Sequence, residues 1–288
     1  MSLNLKVFII LVILSLTCKL TRAQYPEWSD PNSLPIWMTP EEEARKNEIG
    51  KNILKSATVS GPVRNVAEFE RMEGILIRYP LGLPTNLIAS WSKHTVVYTL
   101  TGTSSDEDQA RKTYQRAGAN LNNCKFITAA TDSYWTRDYN PWYVIDQENR
   151  ICIVDFPYNR PRPNDDAVPI KLSDFFNVPL YSMNVIHTGG NFMSDGLGIA
   201  ASTDLVYEEN DNSDIWVNQQ MNNYISINDY HVTDDPLNDY IKHIDCWGKF
   251  LDVDKVLIAQ VRTDDSSYSD YERIASYFSG QISAYGTP

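Results

Sequence analysis

The densest chemistry in the sequence sits in four consecutive residues, His243-Ile244-Asp245-Cys246. Taken as a strand over 242–246, their side chains alternate between faces. His243 and Asp245 then share one face, and Cys246 takes the other. An imidazole beside a carboxylate can carry a proton and steady a charge. The same spacing also suits a buried histidine satisfied by its neighbour, because structural ion pairs perturb protonation too. Cys246 faces away from His243 on this reading, as a small buried apolar side chain rather than a nucleophile.

Three other segments carry candidate chemistry. Tyr134-Trp135-Thr136-Arg137-Asp138 precedes a turn-like Tyr139-Asn140-Pro141-Trp142. An aromatic wall beside a carboxylate suits a planar cation, since the carboxylate accepts paired hydrogen bonds and the ring face attracts charge. A surface ion pair of Arg137 and Asp138 beside core tryptophans is the alternative. In Tyr158-Asn159-Arg160-Pro161-Arg162-Pro163-Asn164-Asp165 the prolines stiffen and extend the chain. Arg160 and Arg162, held apart by Pro161, could grip a carboxylate through bidentate bonds, or the loop could simply be solvated. In His187-Thr188-Gly189-Gly190-Asn191 the glycines permit close backbone approach. No second His or Cys stands at ligand spacing from His187, so no metal is expected. The glycine spacing also fits neither a phosphate loop nor a dinucleotide fingerprint. His94 and His231 read as surface or helix-end residues.

Regular elements must position these groups. The pattern predicts strands over 74–79, 95–100, 123–128, 141–145, 151–156, 180–186, 198–202, 242–246 and 255–260. Helices are predicted over 84–92, 105–117, 170–176, 213–224 and 269–278. Strands alternating with helices indicate an α/β protein. A loose recurrence about 60 residues long hints at repeated modules. A short helix should open at Thr39-Pro40, with Thr39 as cap and Pro40 at the first helical position.

The N-terminus reads as a secretory signal over 1–23: a basic start, an apolar run over 7–16, and small residues before a cut ahead of Gln24. That run is shorter than the roughly 20 residues a bilayer span needs. Residues 24–61 read as an extended leader, and 62–288 as the folded domain. Loss of the signal removes Lys6, Lys19 and Arg22, taking the formal charge from -12 to -15. Nucleic acid is an unsuitable partner for so acidic a chain. After signal cleavage Cys124, Cys152 and Cys246 remain, too few for a disulfide framework. Whether Cys124 and Cys152 pair stays open.

In their order along the chain, four motifs resemble the Porphyromonas-type peptidylarginine deiminases and their agmatine deiminase relatives. They are Ala67-Glu68-Phe69-Glu70 with Met72-Glu73-Gly74, then Trp135-Thr136-Arg137-Asp138, then His187-Thr188-Gly189-Gly190-Asn191, then His243-Ile244-Asp245-Cys246-Trp247-Gly248-Lys249. The resemblance implies a pentein α/β propeller of ββαβ modules around a pseudo-fivefold axis. It implies hydrolysis of a guanidinium to a ureido group and ammonia, with no metal or cofactor. By position, Asp138 and Asp245 resemble the carboxylates that hold the guanidinium, and His243 the general acid/base. Trp135 and Tyr240 resemble pocket walls, and Arg160 and Arg162 the pair that binds a terminal carboxylate.

The family's nucleophilic cysteine lies in a Gly-rich segment that this sequence does not match before its last residue, 45 positions past His243. The expectation is about four of five modules and no turnover by the chain as it stands. Secreted, with arginine-ended peptides as partners and no membrane contact after signal cleavage, it is expected to act on peptidyl arginine. Agmatine deimination for putrescine synthesis, or binding of arginine-ended peptides without turnover, are the alternatives.

Overall fold

The computed structural model describes residues 30, 32–51, 58–59 and 61–287. The expected signal peptide over 1–23 lies outside these residues. Among the described residues no helix is long and apolar enough to cross a membrane. Helix α1 (Pro40–Glu43) opens in the leader where Thr39-Pro40 predicts it. Thr39 Oγ1 accepts the Glu42 amide at 3.3 Å, and Glu42 Oε2 accepts the Thr39 amide at 2.8 Å. This reciprocal box satisfies amides that a helix start otherwise leaves open.

After the short strand β1 (Arg64–Asn65) come β2 (Gly74–Tyr79), α2 (Thr85–Trp91), β3 (Val96–Thr101), α3 (Ser104–Arg116) and β4 (Cys124–Thr128). β2, β3 and β4 form a parallel sheet in that order, with the helices as the crossovers parallel pairing requires. Ile77, Ile88, Val97, Ala110 and Tyr114 fill the core beneath the two helices.

The short helix α4 (Thr136–Tyr139) then leads into a module that recurs. Strands β5 (Trp142–Ile145) and β6 (Ile151–Asp155) make a hairpin, α5 (Pro163–Asp166) and α6 (Val168–Phe176) cross back, and β7 (Leu180–Ser182) pairs parallel with β6. β1 extends this sheet, antiparallel to β5. The second module repeats the order: β8 (Met193–Ser194) antiparallel to β9 (Ile199–Thr203), then α7 (Leu205–Glu208) and α8 (Asp214–Ile225), then β10 (Asp229–Thr233) parallel to β9. A third has the hairpin β11 (Gly248–Asp252) and β12 (Lys255–Ile258), and helix α9 (Tyr268–Ser279).

The modules share walls. On β6, Cys152 and Val154 enter one core with Met183, Val217 and Met221, while Ile153 enters another with Leu100 and Leu172. Such a strand is buried on both faces, which its unbroken apolar run allows. Cys124 and Cys152 lie in different cores and are unpaired.

The sequence reading needs correction in three places. Residues 242–246 are not a strand: Lys242 takes a positive φ of 47°, and His243 caps a 3₁₀ turn at Ile244–Cys246. The Asp239 side chain accepts the Ile241 and Lys242 amides at 2.9 and 2.8 Å, which bends the chain out of extended pairing. Strands β10 and β11, absent from the reading, are the parallel return of the second module and the opening strand of the third. His231 is no surface residue; it is buried on β10, its Nδ1 2.8 Å from the Tyr277 hydroxyl of α9.

Ile244 is fully buried with Met193, Ala201, Trp247 and Phe250, between the two residues of the His-x-Asp motif. Ile244→Ala is expected to cost about 2–5 kcal/mol, read as a lower midpoint in a denaturant melt.

Candidate active site

Three short turns meet at one point. Helix α4 carries Asp138, the 3₁₀ turn Gly189–Asn191 packs against it, and the turn Ile244–Cys246 packs against the glycine turn. His243 Nδ1 stands 3.6 Å from Asp138 Oδ1, with both side chains buried. That is beyond hydrogen-bonding distance. A Cβ on Gly190 would lie 2.3 Å from His243 Nδ1 and 2.9 Å from Asp138 Oδ1, and one on Gly189 would lie 2.2 Å from the Arg137 carbonyl oxygen. The glycine pair is therefore demanded by close approach. Asn191 pins the turn: its Oδ1 accepts the Thr203 amide at 2.8 Å, and Ser202 Oγ donates to its carbonyl at 2.5 Å. Asp138 Oδ2 and His243 Nε2 are buried without a hydrogen-bond partner, which leaves an acceptor oxygen and a ring nitrogen open to a ligand.

Asp245, the second expected carboxylate, is half-buried and is held by Arg137 Nε at 3.3 Å. Arg137 also pairs with Glu68, which in turn pairs with Lys249. Glu68 and Lys249 both lie in the quoted motifs, but the sequence assigned them no role. Cys246 is exposed rather than buried, yet partial desolvation of its thiol, followed by the Asp245 carboxylate, pushes it up to about 12. A thiol so disfavoured as thiolate is a poor nucleophile.

The four residues expected to wall the pocket or bind the terminal carboxylate all touch the leader. Trp135 is half-buried, and its indole Nε1 donates to the Leu34 carbonyl at 3.1 Å. Arg160 is buried and donates from Nε and Nη2 to the Ile36 carbonyl at 3.3 and 3.2 Å, with its guanidinium carbon 5.8 Å from the centre of the Tyr240 ring. The exposed Tyr240 donates its hydroxyl to Glu43 at 2.6 Å. The Arg162 guanidinium is wholly buried, and Glu42 accepts from its Nε at 2.6 Å and its Nη2 at 3.1 Å. A loop arginine free to grip an incoming carboxylate is thus not what this structure holds, because Glu42 already fills the fork. The Thr39–Glu42 capping signature was legible, but nothing in the sequence indicated its distant partner.

Burial, followed by the Asp245 charge, pushes Asp138 up to about 7, although Arg160, Arg137 and Arg162 oppose this. Burial, then Arg160, His187 and Arg137, push His243 down to about 3, so the ring is neutral at physiological pH. A carboxyl raised to near neutrality beside a base kept neutral is a common signature of proton-transfer sites. His187 is buried behind the glycine turn with its Nε2 3.3 Å from the Tyr230 hydroxyl, and burial pushes it down to about 4. Among the described residues no cluster of His, Cys, Asp or Glu side chains could hold a metal ion.

The sequence profile of the Porphyromonas-type peptidyl-arginine deiminases matches residues 84–288, and the chain belongs to this family. It is 28% identical over 104 residues to a Mycoplasma capricolum protein assigned as an agmatine deiminase, covering 32% of this chain and 29% of that relative. The match therefore spans less than a third of the curated relative's length. The agmatine deiminase structure of Enterococcus faecalis superposes with a TM-score of 0.68 at 18% identity, covering 80% of this chain and 72% of that one. That of C. jejuni gives 0.63 at 16%, covering 78% and 72%. The pentein α/β fold expected from the motifs is the fold these structures share with the chain.

Three buried carboxyls, Asp138, Asp155 and Asp165, and the half-buried Glu209 are pushed up to about 7, each chiefly by desolvation. Between pH 6.5 and 8 the folded chain therefore binds more protons than the unfolded chain, whose carboxylates are fully ionised, and stability must fall as pH rises. Below about 6.5 the depressed His187 and His243 act in the opposite sense. The melting temperature is expected to be higher at pH 6.5 than at pH 8, as calorimetry at constant ionic strength would show. Gly190→Ala is expected to lower the affinity for a guanidinium ligand about tenfold or more by driving Asp138 and His243 apart, measured by calorimetric titration.

Proposed function

We propose that this chain carries the substrate-holding and proton-transfer chemistry of a protein-arginine deiminase, which converts arginine at the end of a peptide to citrulline and ammonia. The observation that carries this reading is the placing of two buried guanidinium groups, Arg160 and Arg162, within electrostatic reach of Asp138. A substrate bearing a carboxylate at its far end would meet Arg160 favourably, and Arg162 once Glu42 gives way. The ammonium end of agmatine would meet like charge.

The guanidinium carbon is a poor electrophile because its charge is delocalised. Asp138 and Asp245 would fix its plane, with Trp135 and Tyr240 as walls. A thiol would add to the carbon as the neutral His243 takes its proton, and the imidazolium so formed would hand that proton to the departing ammonia. Water then cleaves the thiouronium adduct with the same imidazole as base. No described residue places a thiol at the Asp138–His243 pair, so binding is the property to measure first. The apolar run over 7–16 supports a secreted protein that meets extracellular peptides. The assignment of the Mycoplasma relative favours agmatine as a second reading, and binding of arginine-ended peptides without turnover is a third.

Calorimetric titration should give tighter binding for a peptide ending in arginine than for its amide or for agmatine, and Arg160→Ala should erase the difference. Equal affinities for all three would sink the peptidyl reading. Because the cation favours ionised Asp138, affinity should fall as pH drops below about 7, approaching tenfold per unit.

A further inference from the structure

The leader does more than precede the domain. Each of the four side chains expected to wall the pocket or bind the terminal carboxylate has its partner in the short stretch from Leu34 to Glu43. The Leu34 carbonyl takes Trp135, the Ile36 carbonyl takes Arg160, Glu42 takes Arg162, and Glu43 takes Tyr240. One polypeptide segment thus offers two backbone carbonyls and a carboxylate to these side chains, the same groups that an arginine-ended peptide carries. We infer that Glu42 stands in the place of the substrate's terminal carboxylate, so that an arginine-ended peptide and helix α1 compete for Arg162. This rests on the peptidyl-arginine reading above.

The contacts fit an occupant that can be displaced. Arg162 grips Glu42 through Nε and Nη2, and Nη2 also donates to the carbonyls of Pro35 at 2.7 Å and Trp37 at 3.2 Å. Its remaining nitrogen, Nη1, is buried with no hydrogen-bond partner, so the fork is not fully satisfied by the leader. Against the cost of burial, the Arg162 bonds and the Thr39 amide hold Glu42 below the usual carboxylate range, and it is bound as an anion. The apolar hold on this stretch is slight. Met38 is buried, whereas Trp37 is more than half exposed and α1 is a single turn. Upstream, Asp30 is fastened to the buried Arg78 at 3.0 Å, an anchor that does not involve the pocket. Residues 34–43 can therefore lift while the leader stays attached. In this arrangement Glu42 determines specificity, because a ligand without a terminal carboxylate gains nothing by displacing it.

The experiment uses the purified protein with three probes: a short peptide ending in arginine, its C-terminal amide, and agmatine. A protease that cuts after glutamate reports the release of α1 at Glu41, Glu42 or Glu43, since cleavage follows the population of the open form. Saturating peptide should speed this cleavage several-fold, and the amide and agmatine should not. In parallel, Glu42→Gln should bind the free-carboxylate peptide about tenfold more tightly than the parent, because it leaves the buried Arg162 charge without its anion. The exposed Glu41→Gln should match the parent. If the peptide binds, yet neither the cleavage rate nor the Glu42→Gln affinity changes, competition by the leader is overturned and the peptidyl reading stands. If the peptide binds no better than its amide in both parent and Glu42→Gln, the peptidyl reading falls and takes the inference with it.

Discussion

Asp138 and His243 lie 3.6 Å apart, so close to the Gly190 backbone that a single methyl group there would clash with both. The elements around them hold the pair in that position. The backbone at Gly190 passes close beside both, Asn191 ties that backbone to β9, and Ile244 anchors the histidine's turn in a core of its own. A carboxyl and an imidazole placed there lose most of their hydration. Both respond by favouring their neutral forms, one upward in pKa and the other downward. An arriving guanidinium would supply the positive charge and the hydrogen-bond donors that the empty site lacks.

Charge is distributed around this pair in tiers. Arg137, Glu68, Lys249 and Asp245 form a chain of alternating sign on one side, and the Arg162–Glu42 pair joins the domain to the leader on the other. The first chain holds a carboxylate of the site in position. The second is shared between two regions far apart in sequence, and so it can be opened. A strongly acidic chain thus keeps two buried cations, Arg160 and Arg162, next to the pocket, where they act on a ligand at short range rather than through net charge.

The sequence revealed the elements well where periodicity was local. Strands such as Gly74–Tyr79 and helices such as Ser104–Arg116 follow from apolar runs and capping chemistry. It failed at 242–246, where a short apolar-polar alternation suggested a strand but Asp239 and a left-handed Lys242 impose a turn. The predicted face-sharing of His243 with Asp245 fell with that strand; His243 instead meets Asp138 from a distant segment. The role of Glu42 was illegible for a related reason. Its capping bond to Thr39 is local and readable, whereas its bond to Arg162 spans 120 positions and exists only once the chain has folded. The glycines of the 189–190 turn were readable as a place of close approach, but what approaches them was not.

The small sheets described above are each closed within a module, with β1 alone reaching into a sheet from the segment preceding β2. The modules are otherwise joined by shared cores and by the three turns that meet at Asp138. Their points of contact coincide with the pocket, so a ligand seated there touches the end of one module, the turn leading into the next and the turn leading into the third. It would act as a keystone, coupling units that could otherwise open one at a time into a single cooperative whole.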